Sequence, residues 1–402
     1  MNVYQVNVVC GSGSTGRIAV DISRELCRRG HNCRIAYGRG KAPDDVDSIK
    51  IDSTLEVLNH VIMTRLFDRH GLHSNKATQR LINDIIDYAP DVIHLHNIHG
   101  YYVNYKTLFD FLKSYGKPVV WTLHDCWAFT GHCAHYEYIN CDKWECECYG
   151  CLRKKTYPAA YLFDRSKKNY LQKKESLLGI NGLTLVTPSM WLRNEVRKSF
   201  LRSYPIEVIN NGIDLDIFHF RESNVRGRLG NPKYLVLGVA SVWTETKGFY
   251  DFFRLRELLG TDYCILLVGV TKEQRKNLPE GIIGIERTES AENLAELYSA
   301  ADVFVNMTYE DTFPTVNNEA IACGTPVVVY NTGGNAEMIK TGDGKVVNRG
   351  DICGIKECIE EIVIKKKLVD RNMKSLDSLD RSKMADHYIT LYNNTVICGE
   401  EN

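Results

Sequence analysis

Short apolar runs alternate with helical patterns along the chain. Residues 4–10, 32–37, 91–96, 118–124, 183–188 and 207–210 are compact apolar runs bounded by turn residues, and they predict β-strands. Between the first two, Ile18, Ile22 and Leu26 recur every fourth residue and Gly30 follows, which predicts a helix opening near Thr15 and stopping at that glycine. A polar stretch rich in Arg, Asn and Gly at 221–232 interrupts the pattern, and apolar runs then restart at 234–240, 263–270, 282–286, 303–307 and 326–330. Strands alternating with helices imply parallel sheets built from βαβ units. The chain is therefore read as α/β, with two Rossmann-like, doubly wound domains facing a central cleft. The expected boundaries are 1–215 for the first domain, with a cysteine-rich insertion at 126–151, 216–232 for a linker, and 233–375 for the second domain. Residues 376–402 are expected to form a C-terminal helix packing back on the first domain. Ligands of such sheets sit at the carboxyl ends of the strands, so the loops that follow the strands hold the candidate chemistry.

Length supports this division, because 402 residues exceed what a single core usually organises. Fifty basic residues balance fifty acidic ones, which argues against a chain built mainly to bind nucleic acid. No apolar run approaches a bilayer span, and the N-terminus shows no charged segment followed by an apolar core, so a cytoplasmic protein is expected. The fourteen cysteines are then expected to stay reduced.

The loop after the first strand, "VVCGSGSTGRIAV", nearly spells a P-loop, but Arg17 and Ile18 stand where lysine and a hydroxyl residue belong. Isoleucine offers a magnesium ion no oxygen, so triphosphate chemistry is not expected there. Gly13, Ser14, Thr15, Gly16 and Arg17 instead suit an anion or sugar hydroxyls at a helix N-terminus, or form a tight βα turn with no ligand. The loop from Tyr309 to Glu337 is the densest of the second half. Asp311 lies just after a strand and Glu319 eight residues on, two carboxylates suited to the hydroxyls of a sugar nucleotide. Thr315 and Val316 between them open a short helix whose amides suit a diphosphate, and Gly333 and Gly334 permit close backbone approach. In the first half, "VVWTLHDCW" sets His124 and Asp125 directly after a strand, and alternation points His94 and His96 to one face. Cys133, Cys141, Cys148 and Cys151 form C-x7-C-x6-C-x2-C, with Cys126 and Cys146 as spares. Structural zinc and four packed, reduced thiols are weighed evenly, with disulfides third.

Asp311 and Glu319 followed by "AIACGTPVV" resemble the E-x7-E signature of the GT4 family of retaining glycosyltransferases, which have the GT-B fold. The glycine-rich loop, "HDCWAFTGHC", "NNGIDLDIF", "ETKGFYDF" and "ELYSAADVFVN" follow in the family's order over nearly the whole chain. The resemblance implies transfer of a sugar from a nucleotide diphosphate donor to an acceptor hydroxyl, with retention and no metal or other cofactor for catalysis. It gives the first domain the acceptor and the second the nucleotide sugar. Glu319 matches the ribose-binding glutamate, and Asp311 takes the first acidic position, usually Glu, with Glu310 adjacent as an alternative. Lys247 matches the lysine that neutralises the diphosphate. The family's arginine about five residues earlier is replaced by Ser241 or Val242, and Arg17 and Arg287 are candidate substitutes. His124 matches a histidine close to the reacting sugar. Related members show a similar cysteine spacing around the same Trp-Ala-Phe-Thr-Gly motif. The basic region 153–202, with Tyr161, Leu162, Phe163, Tyr170 and Leu171 interleaved, is expected to be helical and resembles a peripheral membrane patch. This fits a sugar or lipid-linked oligosaccharide acceptor at the inner face of the cell membrane, in surface polysaccharide or glycolipid synthesis. The competing readings are a sugar-nucleotide-binding protein without turnover, a GT-B epimerase, and a zinc-stabilised nucleic-acid binder.

Overall fold

The computed structural model describes residues 1–365 and 376–400; the expected positions 366–375 and 401–402 lie outside the described residues. The chain forms two units, one of residues 1–211 together with the residues from 381, the other Gly212–Asp380.

In the first unit the strands are β1 (Asn2–Val9), β2 (Asn32–Arg39), β3 (Ser48–Lys50), β4 (Val92–Leu95), β5 (Val119–Thr122), β6 (Leu183–Thr187) and β7 (Ile206–Val208). They form one parallel sheet in the order β3-β2-β1-β4-β5-β6-β7. Its helices are α1 (Gly13–Arg28), α2 (Thr54–Phe67), α3 (Asn75–Tyr88), α4 (Tyr105–Tyr115), α5 (Ser166–Leu177) and α6 (Met190–Lys198). Residues 3–8 of β1 are buried without alternation, as a parallel strand covered on both faces requires. The edge strand β3 has no apolar run, which is why the pattern did not announce it.

The second unit holds α7 (Val225–Arg228), β8 (Tyr234–Val239), α8 (Phe249–Leu258), β9 (Tyr263–Val268), α9 (Lys272–Lys276) and β10 (Ile282–Ile285). It continues through α10 (Ala291–Ala300), β11 (Val303–Asn306), α11 (Thr315–Ala322), β12 (Val327–Tyr330), β13 (Gly344–Val347) and α12 (Ile352–Lys365). Its parallel sheet runs β10-β9-β8-β11-β12-β13. Residues 216–232 run through this unit: Phe218 and Val225 are buried with Leu235, Leu237 and Tyr298. The Arg226 guanidinium fastens the stretch to the Ala300 carbonyl and, at 3.0 Å, to Asp302.

The last helix, α13 (Arg381–Glu400), packs Met384, Tyr388, Ile389 and Tyr392 against Ile18, Ile22 and Leu26 of α1. Its tyrosines also reach the sheet of the first unit. Tyr388 meets the Thr122 hydroxyl at 2.9 Å, and the Tyr392 hydroxyl meets His94 Nδ1 at 2.6 Å. Ile18 is therefore a core residue, which removes the position a P-loop reserves for its magnesium-binding hydroxyl.

In each unit the strand order reverses once, between β1 and β4 and between β8 and β11. The loops that leave the carboxyl ends of these strands diverge there and open a crevice. The first pair of loops starts at Cys10 and His96, the second at Ala240 and Met307.

Candidate active site

At the reversal of the second unit, the two loops are fastened together by their backbones. The Tyr309 N–H donates to the Thr246 carbonyl at 2.8 Å, and the Thr308 hydroxyl reaches the same oxygen at 3.3 Å. Gly248 permits this approach: its φ is +74°, and a Cβ there would lie 2.4 Å from the Met307 carbonyl oxygen. Lys247, ending the short turn Glu245–Lys247, thereby reaches across to Asp311, Nζ to Oδ2 at 2.6 Å. Asp311 is held from the other side by the glycine turn. Gly333 has φ +51° and approaches so closely that a Cβ would sit 1.7 Å from the Asp311 carbonyl oxygen, which also accepts from the Gly334 N–H at 3.3 Å. Glu310 is buried, and its carbonyl oxygen accepts from the Thr308 hydroxyl.

Glu319 lies one turn into α11 and is buried. Its carboxylate accepts from the Tyr298 hydroxyl at 3.1 Å and from the Thr315 hydroxyl at 3.4 Å, so two neutral donors fix its orientation. Val316, beside Thr315 in the first turn, is half-buried. Lys247 and Asp311 thus meet from the loops after β8 and β11, and Glu319 follows eight residues later on α11. Arg287 is exposed in the loop after β10, two strands away from that point.

In the first unit, the Gly11 N–H closes the opening loop on the Gly16 carbonyl at 3.0 Å. Ser12, Gly13 and Ser14 are exposed, Thr15 is half-buried and Arg17 is exposed on α1. A Cβ on Gly13 would meet nothing within 4 Å, so only its φ of +65° favours glycine. Gly16 is packed: a Cβ there would lie 3.1 Å from the Gly11 nitrogen.

A chain of imidazoles underlies His124. The Gln5 amide donates to the Ala19 carbonyl at 2.9 Å, which turns its oxygen toward His96 Nε2 at 2.8 Å. His96 therefore carries its proton on Nε2. Burial holds His96 well below the usual histidine range, so its Nδ1 is a bare acceptor for His124 Nε2 at 3.1 Å. His124 is thus fixed with its proton on Nε2 and Nδ1 as its basic atom. Burial lowers His124 to about 4, leaving it neutral near pH 7. His94 and His96 lie with ring centres 3.9 Å apart and serve the packing of the sheet and α13.

The structure adds a residue that the sequence reading passed over. His99, from the loop after β4, places Nε2 2.8 Å from Asp125, and its Nδ1 meets the Tyr157 hydroxyl at 2.8 Å. Burial alone would raise the Asp125 carboxyl, but His99, His135 and the Trp127 N–H outweigh it and bring the group to about 2. The available signal was His99's place at the reversal loop. Its partners come from segments 26 and 58 residues downstream and cannot be read from spacing.

Cys133, Cys141, Cys148 and Cys151 line one small cavity together with His132, Tyr136 and Trp144. The Cys133 and Cys151 thiols interact, which lowers Cys151 and, with burial, holds Cys133 well above the usual thiol range. Cys148 Sγ accepts from the Gly131 N–H at 3.1 Å. All four are free thiols. Among the described residues no three His, Cys, Asp or Glu side chains are grouped closely enough to hold a metal ion as they stand. Cys126 is buried and Cys146 exposed, and neither lines this cavity.

The region 153–202 is not one helix. Residues 151–165 are non-helical, α5 covers only Ser166–Leu177, and Tyr170 and Lys173 point inward. The Lys173 ammonium lies 3.5 Å from the Trp127 ring centre and donates to the Trp127 and Thr130 carbonyls at 2.6 and 3.0 Å. It is an internal tie and does not belong to a basic surface. Among the described residues, no helix is long and apolar enough to cross a membrane.

Residues 15–217 match Glycosyltransferase Family 4, and residues 233–364 match Glycosyl transferases group 1. A putative colanic acid biosynthesis glycosyl transferase, WcaC of Escherichia coli, is 24% identical over 98% of this chain and 100% of its own length. Among solved structures, sucrose-phosphate synthase from Thermosynechococcus elongatus superposes with a TM-score of 0.70 at 15% identity, covering 99% of both chains. Anabaena Alr3699/HepE, solved in complex with UDP and glucose, gives 0.66 at 14% identity over 98% of this chain and 100% of that one. The two parallel sheets, each with one strand-order reversal, agree with matches that span both halves: the chain is a glycosyltransferase and belongs to Glycosyltransferase Family 4.

Proposed function

We propose that this chain moves a sugar from a nucleotide diphosphate donor to an acceptor hydroxyl, with retention of anomeric configuration and without a catalytic metal. The observation that carries this reading is the meeting of Lys247 with Asp311 at the β8/β11 reversal, with Glu319 fixed on the helix that follows. Lys247 offers the cation that a departing diphosphate needs as its charge develops, and Asp311 orients that ammonium. Glu319, held by Tyr298 and Thr315, suits the vicinal hydroxyls of a ribose. His124, neutral with a fixed tautomer, offers Nδ1 as a hydrogen-bond acceptor to the reacting sugar or acceptor. The amides of the Gly11–Gly16 turn and Arg17 suit an anion or sugar hydroxyls.

UDP-glucose is the first donor to test and UDP the first nucleotide to titrate, since HepE was solved with each. The likeness to WcaC along its full length supports a role in bacterial surface polysaccharide or glycolipid synthesis at the inner face of the cell membrane, with a sugar or lipid-linked acceptor. Structural zinc at Cys133, Cys141, Cys148 and Cys151 is proposed on the convergence of those thiols in one cavity; four thiolates would leave no open position, so its part would be to hold the loop.

The test is titration of UDP into the wild type and Glu319→Ala by calorimetry, with transfer from radiolabelled UDP-sugars in parallel. Glu319→Ala is expected to lose both nucleotide affinity and transfer. Full affinity in the variant would remove Glu319 from the donor site.

A further inference from the structure

A closed ring of hydrogen bonds joins the loop after β11, helix α11 and the glycine turn. It starts at the Thr308 N–H, which donates to Asn306 Oδ1 at 3.2 Å. Asn306 Nδ2 then donates to Asn317 Oδ1 at 2.9 Å, Asn317 Nδ2 to Asn335 Oδ1 at 2.9 Å, and Asn335 Nδ2 to the Thr332 hydroxyl at 3.1 Å. The Thr332 hydroxyl returns to the Thr308 carbonyl at 2.7 Å, so the ring begins and ends on one residue's two backbone groups. Thr308, Asn317, Thr332 and Asn335 are buried, Asn306 is half-buried, and Asn317 Nδ2 also meets the Met338 sulfur at 3.6 Å.

Every bond runs in the same direction. The Thr308 N–H can only donate and its carbonyl can only accept, so turning any one of the three amides would set donor against donor. Such a ring has one arrangement, and in a low-dielectric interior its bonds strengthen one another. Apolar side chains of the same shape would fill this space with little change in stability, so what the ring supplies is a fixed geometry. Each segment it joins carries a candidate donor residue. Asn306 ends β11, and Thr308 lies three residues before Asp311, its own hydroxyl reaching the Thr246 and Glu310 carbonyls at 3.3 and 3.1 Å. Asn317 stands in the first turn of α11, two residues before Glu319. Thr332 and Asn335 bracket Gly333 and Gly334, and the Gly334 N–H holds the Asp311 carbonyl at 3.3 Å. The Glu319 carboxylate stands outside the ring, held by Tyr298 and Thr315.

We propose that this ring positions the diphosphate end of the donor site, with Asn317 and Thr332 as positioning residues. It sets the spacing of the three groups that would surround a diphosphate: the Lys247–Asp311 pair, the first-turn amides of α11 and the glycine turn. The inference rests on the nucleotide-donor reading and states what fixes the geometry of that site.

The test is calorimetric titration of UDP and of uridine into the full chain and its variants. Thr332→Val keeps the shape of threonine and opens the ring at two bonds, and Asn317→Leu opens it at the two others beside Asn317. Each should weaken UDP binding about tenfold while changing uridine binding by less than about twofold, because Glu319 is held outside the ring. Thr332→Ser, which keeps the hydroxyl, should restore the affinity for UDP. The double variant should bind UDP no more weakly than the worse single one, since a ring opened once is already open. Circular dichroism verifies folding, and Thr332→Val carries the test should Asn317→Leu not fold. Parallel losses of UDP and uridine affinity, unchanged UDP affinity in Thr332→Val, no recovery in Thr332→Ser, or additive losses in the double variant would each overturn the proposal and leave the donor reading standing. A wild type that binds no UDP would overturn the donor reading, and this proposal with it.

Discussion

Acidification should unfold the first unit well before its carboxylates titrate. His94 and His96 are held well below the ordinary histidine range by burial, and His124 is lowered to about 4 for the same reason. In the unfolded chain each returns to about 6.5. The unfolded state therefore binds more protons below that value, and stability falls as pH drops through about 6.5, continuing toward the folded-state values. At about pH 5.5 a histidine kept neutral by the fold costs about 1.4 kcal/mol, because the unfolded form gains RT ln(1 + 10) from protonation. Three such imidazoles cost about 4 kcal/mol, and His60 and His70 act in the same direction, both lowered by burial. Asp52 opposes them. Burial raises its carboxyl to about 6, but a single half-exposed group offsets less than about 1 kcal/mol. A net loss of at least about 3 kcal/mol between about pH 7.5 and 5.5 is expected, a large part of a typical domain's stability. Urea unfolding followed by tryptophan fluorescence measures it. With Trp243→Phe as background, the remaining Trp121, Trp127, Trp144 and Trp191 all report the first unit. His96→Gln should shrink the acid-induced loss by about 1.4 kcal/mol, whatever it does to stability at pH 7.5. A wild-type loss below about 1 kcal/mol would show that these histidines protonate in the folded state, and would refute the tautomer assigned to His124.

Two further predictions concern single sites. Gly333→Ala places a Cβ on the Asp311 carbonyl oxygen and should lower transfer about a hundredfold by displacing Asp311 from Lys247, with the far-ultraviolet spectrum preserved; unchanged kcat would mean that the turn does not set Asp311. If the thiol cavity holds zinc, metal analysis of the purified chain should find about one atom per chain, and stripping it should lower the melting temperature in parallel with activity; a metal-free protein of undiminished stability would leave four packed thiols.

The periodicity of the sequence determined the α/β class, the restart after the polar stretch and most central strands, because a strand buried on both faces must be a short unbroken apolar run whatever surrounds it. Strand-end positions likewise made His124 and Asp311 legible as candidates, since chemistry in parallel sheets collects where strands end, whereas Lys247 was marked by the family resemblance. Edge strands such as β3 and β13 were not legible: half-exposed, they need no apolar pattern. Nor was the pairing of Lys247 with Asp311, 64 residues apart, or of His99 with Asp125 and Tyr157. Those contacts are set by strand order, which no local pattern encodes. The same limit explains residues 153–202, where composition suggested one basic helix. Tertiary packing turned Lys173 and Tyr170 inward, broke the segment before Ser166, and exposed an apolar stripe on α2. Amphipathicity in sequence shows that a helix has two unlike sides. Which residues meet the core is decided by the partners, and at α2 hydrogen bonds hold His60 and Thr64 inward beside the half-buried Val57 and Val61 while Leu55, Leu58, Ile62 and Leu66 stay exposed.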